Sequence, residues 1–274
     1  MKASFVVVLS LLLLGFNASA QNRASRLPYP YIEPDAGADE PPKVQACFLL
    51  YDLSAGEIRR TPSPACKRRV TPAATFDIPH ALAGLDGSIV RAGQPLAGSG
   101  THSLDTALMY SSTEYFQFIA QRLGDTRERE YMNRFNYGNA DTSSGSTFWM
   151  GGSLQISPDE QMLFLRRFFS EQLPVNKQAM ADVRAGLRQP PGAMIGNYGA
   201  VAIGRFPARV DTSVVAKSGS AVMAGNEAVR WQVGQITRGT RSFVFVSCVT
   251  GPLNLPEGAA ATFAANELRA ANVL

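Results

Sequence analysis

FNYGNADTSSGSTFWMGGSLQISPDEQMLFLRRFF, residues Phe135 to Phe169, joins a polar, glycine-rich segment to a well-marked helix start. Ser157 is a typical N-cap, Pro158 suits the first turn, and Glu160 stands three residues after the cap, as in a capping box. The apolar residues that follow at helical spacing are Met162, Leu165, Phe168 and Phe169. The stretch predicts a loop that leads into an amphipathic helix.

Upstream of this stretch, the chain alternates β and helical patterns. CFLLYDLSAGEIRR, residues 47–60, predicts two strands around a turn at Ser54 to Gly56, which is a hairpin signal. A helix is expected to start near Thr75. SLDTALMYSSTEYFQFIAQRLG, residues 103–124, has apolar residues at helical spacing and predicts a helix with a break at its paired serines.

Downstream, β patterns return. DTSVVAKSGS (211–220), RWQVGQI (230–236) and RSFVFVSCV (241–249) are short β-rich runs separated by turn residues, which predicts an antiparallel meander. Because strands occur at both ends of the chain and helices between them, we expect an α+β fold. Both chain ends would form one antiparallel central sheet, with a helical lobe between them.

The beginning of the chain has the pattern of an export signal. Residues 1–20, MKASFVVVLSLLLLGFNASA, contain one lysine, a short apolar run and small residues at Ala18 and Ala20. The run is too short to span a bilayer, so it predicts a secretory signal peptide cleaved after Ala20. Residues 21–42 are rich in proline and polar residues and predict a flexible leader before a domain at 43–274. We expect a secreted, periplasmic protein without a stable membrane anchor.

Three cysteines follow the predicted signal peptide. A disulfide between Cys47 and Cys66 would join a strand to a loop, but the pairing cannot be read from the sequence, so the bonded and free forms both stay open. Cys248 lies in an apolar run and is expected to be a buried free thiol.

Charge and metal-ligand patterns exclude several function classes. The formal net charge of +4 is small and scattered, so nucleic acid is not an expected partner. His80 and His102 are the only histidines, and no cysteine or carboxylate cluster has metal-ligand spacing. We therefore expect no metal and no cofactor.

Several separated segments together resemble the class D β-lactamases, which are penicillin-recognising serine hydrolases. The motifs are Tyr137-Gly138-Asn139, the Phe148-Trp149 pair, the SLQIS helix start, the KSG strand at Lys217 to Gly219, and WQVGQI in the next strand. They occur in family order from about Cys47 to Val249. The resemblance implies a β-lactamase/transpeptidase-like fold.

The resemblance also shows where the family places its chemistry. Class D enzymes carry Ser-x-x-Lys at the start of a buried helix, and the carbamylated lysine is the general base for the serine nucleophile. Here Ala74 takes the place of the serine and Asp77 that of the lysine. Alanine has no oxygen to form an acyl ester, and aspartate cannot be carbamylated. Thr75 is adjacent, but one helical step turns its side chain by about 100° away from the substrate face.

Other family positions are retained or altered. The Ser-x-Val element appears as Ser111-Ser112-Thr113, and Trp149, which holds the carbamate in the family, is expected to pack here. The arginine that the family usually supplies for the substrate carboxylate is missing from residues 250–268. Asp77 and Lys217 are predicted to form an oppositely charged pair in the cleft. The predicted ligand contacts are Ser111, Tyr137, Asn139, Lys217, Ser218 and Gly219.

These patterns leave three functional hypotheses. The first is a catalytically inactive protein that binds a β-lactam, a cell-wall peptide or a protein partner non-covalently. The second is an active β-lactam or peptide hydrolase that uses water activated by Asp77, or Ser111 as a substitute nucleophile. The third is a structural or assembly factor that uses the protein surface.

Overall fold

The computed structural model describes residues 42–96, 102–196, 198–202 and 212–274. The predicted signal peptide, and all of the predicted leader except its last residue, lie outside these ranges. In the described part of the chain, no helix is both long and apolar enough to cross a bilayer.

A five-stranded antiparallel sheet in the order β2-β1-β7-β6-β5 forms the centre of the fold. Its strands come from both ends of the chain, as the sequence predicts, and the α+β prediction is confirmed. The strands are β1 (Gln45–Asp52), β2 (Gly56–Arg60), β5 (Thr212–Met223), β6 (Glu227–Arg238) and β7 (Arg241–Gly251). A separate hairpin consists of β3 (Ala193–Gly196) and β4 (Gly199–Ala202).

Helices pack on both faces of the sheet. The helices are α1 (Asp77–Asp86), α2 (Leu104–Tyr110), α3 (Thr113–Phe135), α4 (Pro158–Phe169), α5 (Lys177–Gly186) and α6 (Ala259–Ala270), with 3₁₀ turns at Pro64–Cys66 and Ala73–Phe76. Alternation along the strands divides the core into two layers. Val215 and Val233 face the main helical layer, whereas Val214 and Ile236 pack against α6.

The helix boundaries follow the sequence signals. At the start of α4 the Ser157 hydroxyl accepts from the Glu160 N–H at 3.2 Å, while a Glu160 carboxylate oxygen accepts from the Ser157 N–H at 2.9 Å. This is the predicted capping box. The predicted break at the serines lies between α2 and α3, where Ser111 adopts a left-handed φ of 52° and Ser112 caps α3.

The loop between α3 and α4 is fixed by its own polar groups. Asn139 donates to the Ser153 carbonyl at 2.8 Å and accepts from the Gln155 N–H at 2.9 Å. Gly138 has a φ of 54°, and a Cβ there would come 2.1 Å from the Gln155 carbonyl oxygen. Only glycine allows this close approach of the two ends of the loop.

The sequence left open whether Cys47 and Cys66 are bonded or free, and the structure has the bonded form. Cys47 in β1 and Cys66 in the first 3₁₀ turn form a disulfide. Cys248 in β7 is free and buried, as predicted.

A buried carboxylate organises the β1–β2 hairpin. Asp52 accepts from the Ser54 N–H at 2.7 Å, the Ser54 hydroxyl at 2.6 Å and the Ala55 N–H at 3.2 Å, and it pairs with Arg241. These hydrogen bonds, led by the Ser54 hydroxyl, hold the pKa of Asp52 well below its usual 3.8.

We expect Asp52→Ala to lower the free energy of unfolding by about 1.5–3 kcal/mol at neutral pH, the range for hydrogen bonds to a charged group. Urea denaturation measures this loss, with the exposed hairpin residue Glu57→Ala as the control. The folded-state pKa of Asp52 is depressed, so its stabilisation is fully present above pH 3.8 and is lost as the pH falls through the folded-state pKa. A difference that vanishes well above pH 3.8 would contradict this assignment.

Candidate functional site

The segment before α1 is held between the α3–α4 loop and the sheet. The Thr71 hydroxyl donates to the Trp149 carbonyl at 2.6 Å, and the Ala73 N–H donates to the same carbonyl at 3.0 Å. From the sheet side, the indole N–H of Trp231 donates to the Thr71 carbonyl at 2.8 Å. Ala73 has a left-handed φ of 50°, and Ala74 follows in the 3₁₀ turn that leads into α1.

Strand β5 passes directly beside this turn. A Cβ on Gly219 would come 2.9 Å from the Thr75 nitrogen and 3.1 Å from the Ala74 nitrogen. A side chain at this position would therefore push the strand away from the helix start. The glycine of the KSG motif allows β5 and Ala74 to be neighbours.

The predicted ion pair between Asp77 and Lys217 is present. The Lys217 ammonium lies 3.1 Å from an Asp77 carboxylate oxygen, and each residue is only 2% exposed. The same ammonium donates to the Ser111 hydroxyl and to the Ser218 carbonyl, the latter at 3.2 Å. Residues from α1, β5 and the α2–α3 junction thus meet at one point.

Two opposing effects set the ionisation of Asp77. Burial raises the pKa of this carboxyl, because transfer from water penalises the charged form. The positive charge of Lys217 and its contact with the carboxylate lower the pKa, but burial is the larger effect. The net result is a pKa above the usual 3.8.

A second buried polar pair lies behind the first. His80, one helical turn after Asp77, has its Nε2 atom 2.9 Å from a Glu128 carboxylate oxygen. Its ring lies 4.3 Å from the Phe76 ring and 4.5 Å from the Trp149 ring, centroid to centroid. The sequence motifs identify His80 only as a possible metal ligand and do not identify Glu128. The spacing of residues in α3 does indicate that Glu128 is buried, because it lies on the same face of the helix as Tyr131, Met132 and Phe135.

The hydroxyl groups near Ala74 belong to buried or half-buried residues. The Thr75 hydroxyl is buried and donates to the Pro72 carbonyl at 2.7 Å, so it does not face the cleft. Ser218 is buried, and a Cβ on Gly196 of the β3–β4 hairpin would come 2.3 Å from its hydroxyl oxygen. Ser111 is half-buried and contacts Lys217.

Two of the predicted ligand contacts have structural positions instead. The Tyr137 side chain is fully buried between the Phe76 and Phe164 rings, and burial raises the pKa of its phenol well above 10. Asn139 uses its amide within the α3–α4 loop. In this conformation Tyr137 offers no surface to a ligand, so both residues shape the loop. Trp149 is likewise buried among aromatic rings, consistent with the packing role expected for it.

Comparison with known proteins agrees with this geometry. Residues 46–270 match the family model described as "Penicillin binding protein transpeptidase domain". Over 173 residues, or 59% of this chain, the sequence is 31% identical to "Probable beta-lactamase YbxI" of Bacillus subtilis. The match spans 65% of that protein, just under two thirds of its length.

Solved structures share the fold. "Class D beta-lactamase BAT-2" superimposes with a TM-score of 0.69 at 26% identity, covering 84% of this chain and 93% of that one. The C-terminal domain of the Bacillus licheniformis BlaR penicillin-receptor gives a TM-score of 0.71 at 22% identity, covering 85% and 92%. The second likeness concerns the fold alone.

We expect Lys217→Met to lower the free energy of unfolding by about 3–5 kcal/mol, because it leaves the Asp77 carboxylate buried without its cation. The second substitution Asp77→Asn removes that charge. The double variant should therefore be more stable than Lys217→Met alone in urea denaturation. Additive losses from the two substitutions would show that the residues do not interact.

The cost of Lys217→Met should also depend on pH. Burial raises the pKa of Asp77 above 3.8, and removal of Lys217 raises it further. A carboxyl with a raised folded-state pKa contributes stability that is present below 3.8 and is lost as the pH rises through the folded-state pKa. The variant should recover stability towards acid pH, whereas Lys217→Met/Asp77→Asn should not. Unfolding curves across a pH series test this, and a cost that stays constant down to pH 3.8 is the contrary result.

Proposed function

Since the chain belongs to the penicillin binding protein transpeptidase domain family, as a class D β-lactamase-like member, we propose that it binds a β-lactam or cell-wall peptide non-covalently and has lost acyl transfer. The observation that carries this proposal is the buried Asp77–Lys217 pair beside Ala74. Ala74 has only a methyl group at the position where the resemblance to class D enzymes places the nucleophile. Asp77, at the position of the base, is buried in an ion pair with Lys217.

Acyl transfer needs a nucleophilic oxygen and a group that takes its proton. Ala74 supplies neither, and the Thr75 hydroxyl is directed to the Pro72 carbonyl. The Lys217 ammonium carries only donors, so it has no lone pair with which to accept a proton. Asp77 is buried against that ammonium. This arrangement supports a site that does not form the acyl-enzyme with which the reaction of the family begins.

The edge of β5 supports ligand binding. At its beginning, this edge is occupied by residues 187–189, whose hydrogen bonds reach Val214 and Ala216. Further along the strand, Ser220 and Ala221 are partly exposed, and β5 is an outer strand of the sheet. An extended peptide adds to such an edge through backbone hydrogen bonds. A peptide, or the amide of a β-lactam side chain, is therefore the ligand class that we propose.

Similarity of fold to a receptor also supports binding as the function. The BlaR domain of Bacillus licheniformis is described as a penicillin-receptor and has the same fold. The fold thus occurs in a protein named for binding as well as in enzymes named for hydrolysis.

Export to the periplasm is part of the proposal. Its support is the pattern of residues 1–20, with a short apolar run and small residues at Ala18 and Ala20. Such a location would place the protein where cell-wall peptides occur.

A second candidate function is hydrolysis with Ser111 as nucleophile. It is favoured by the direct contact between the Ser111 hydroxyl and the Lys217 ammonium, and by the left-handed backbone of Ser111. Against it, the ammonium donates to the hydroxyl oxygen rather than taking a proton from it. The two candidates differ in whether a covalent adduct forms, and at which residue.

We expect no mass increase when the intact protein is incubated with benzylpenicillin, whereas isothermal titration calorimetry should detect binding. An adduct mapped to Ser111, and removed by Ser111→Ala, would establish the second candidate instead. Absence of both adduct and binding heat would contradict ligand binding and favour the surface-based assembly role.

Restoration of the family residues tests whether the rest of the site is competent. We expect Ala74→Ser/Asp77→Lys to give an acyl adduct with benzylpenicillin at residue 74, because it returns both nucleophile and base. The matched control Ala74→Ser lacks the base, so it should acylate far more slowly. Complete inertness of a folded double variant would show that more than these two residues separates this site from its enzyme relatives.

A further inference from the structure

The three cysteines of the folded domain lie together, in β1, in β7 and in the turn Pro64–Cys66. Cys47 in β1 stands directly opposite Cys248 in β7 in the strand register. Both side chains belong to the same core layer, so they point to the same face of the sheet. Residues directly opposite in an antiparallel pair have Cα atoms about 4.5–5.5 Å apart, which is within the span of a disulfide.

Cys66, the present partner of Cys47, is buried in the same core layer. It ends the 3₁₀ turn Pro64–Cys66 and is followed by Lys67, Arg68 and Arg69. Because Cys47 is the bonded cysteine that stands opposite Cys248, attack falls on its sulfur, and Cys66 is the sulfur that leaves.

Arg68 connects this cationic segment to the free thiol. Its guanidinium pairs with Glu227, and its charge lies close enough to act on the Cys248 thiol. The Arg68 and Glu227 charges act on the Cys248 thiol in opposite directions, and neither Cys248 nor Cys66 is exposed to solvent.

We propose that Cys47, Cys66 and Cys248 form a thiol–disulfide exchange site. The Cys248 thiolate attacks the Cys47 sulfur, a Cys47–Cys248 bond forms, the Cys47–Cys66 bond breaks, and Cys66 leaves as a thiolate. Because Cys248 is buried, its proton passes to solvent base when the surrounding chain opens transiently, before the attack. The number of disulfides does not change, so the step needs no oxidant or reductant.

The rate of this exchange is limited by burial. Burial raises the pKa of the Cys248 thiol far above its usual 9.0; the Arg68 charge lowers this pKa and the Glu227 carboxylate raises it. Little thiolate is present at neutral pH, so exchange is slow and accelerates as the pH rises. The Cys47–Cys66 disulfide is then the resting form.

Exchange would free the segment around Cys66 while leaving the candidate ligand site in place. Val70 and Ile156 exchange backbone hydrogen bonds at 3.0 and 2.9 Å, and Thr71 is held by Trp149 and Trp231. These contacts anchor the chain beyond Arg69. Cys66 is buried while it is bonded to Cys47. Once released and exposed by movement of its turn, its thiol can exchange with a small disulfide compound, which forms a mixed disulfide and releases a small thiol. This chemistry is independent of the proposed ligand binding.

The variant Cys66→Ala tests the cross-strand pairing. After incubation with oxidised glutathione, it should lose two hydrogen atoms in mass and yield a Cys47–Cys248 linked peptide on non-reducing digestion. The control Cys248→Ala should keep the Cys47–Cys66 bond under the same treatment. Two free thiols in a folded Cys66→Ala, shown by alkylation after denaturation, would overturn the proposal.

The full-length wild-type protein provides the second measurement, which does not depend on the folding of Cys66→Ala. Samples held at increasing pH are quenched in acid, alkylated and mapped. The Cys47–Cys248 fraction should rise with pH, and Arg68→Gln should lower it at each pH because the thiolate loses its nearby cation. A map that contains only Cys47–Cys66 at every pH would overturn the proposal.

Discussion

The buried pair of Asp77 and Lys217 connects the two halves of the fold at the place where its relatives carry out chemistry. Asp77 begins α1 in the helical layer, and Lys217 belongs to β5 in the sheet. Their charges lie 3.1 Å apart with almost no exposure to solvent. A lone charge at this depth would cost several kcal/mol, so each residue requires the other. The pair therefore holds the helix against the strand, and in the function that we propose neither charged group takes part in catalysis.

The backbone around this pair explains why the catalytic scaffold can persist without the catalytic residues. Gly219 allows β5 to approach the nitrogen atoms of Ala74 and Thr75. The Thr71 carbonyl accepts from the Trp231 indole, and the Trp149 carbonyl accepts from Thr71 and Ala73. All of these contacts are made by backbone groups or by residues other than the nucleophile and base. In the function that we propose, replacement of those two residues changes the chemistry while these backbone contacts keep the frame of the site.

Local sequence signals predict much of this structure, because they are physical causes of the elements they mark. The capping box at Ser157 and the hairpin turn at Ser54 to Gly56 are examples. The Asp77–Lys217 contact was predictable from the resemblance, which places both residues at one site. The burial of Tyr137 was not, since side-chain direction in an irregular loop depends on contacts such as that with Phe164. The His80–Glu128 pair also depends on distant elements, although the position of Glu128 in an apolar stripe gave a signal.

The central claim is that the charge pair at Asp77 replaces catalysis rather than providing another form of it. Hydrolysis of a chromogenic cephalosporin with the protein in large excess over substrate tests this claim most directly, because even a single slow turnover becomes visible. The account predicts the same decay rate as in buffer alone, and the same rate with Asp77→Asn. A protein-dependent acceleration that Asp77→Asn abolishes would contradict the account and identify Asp77 as a base that activates water.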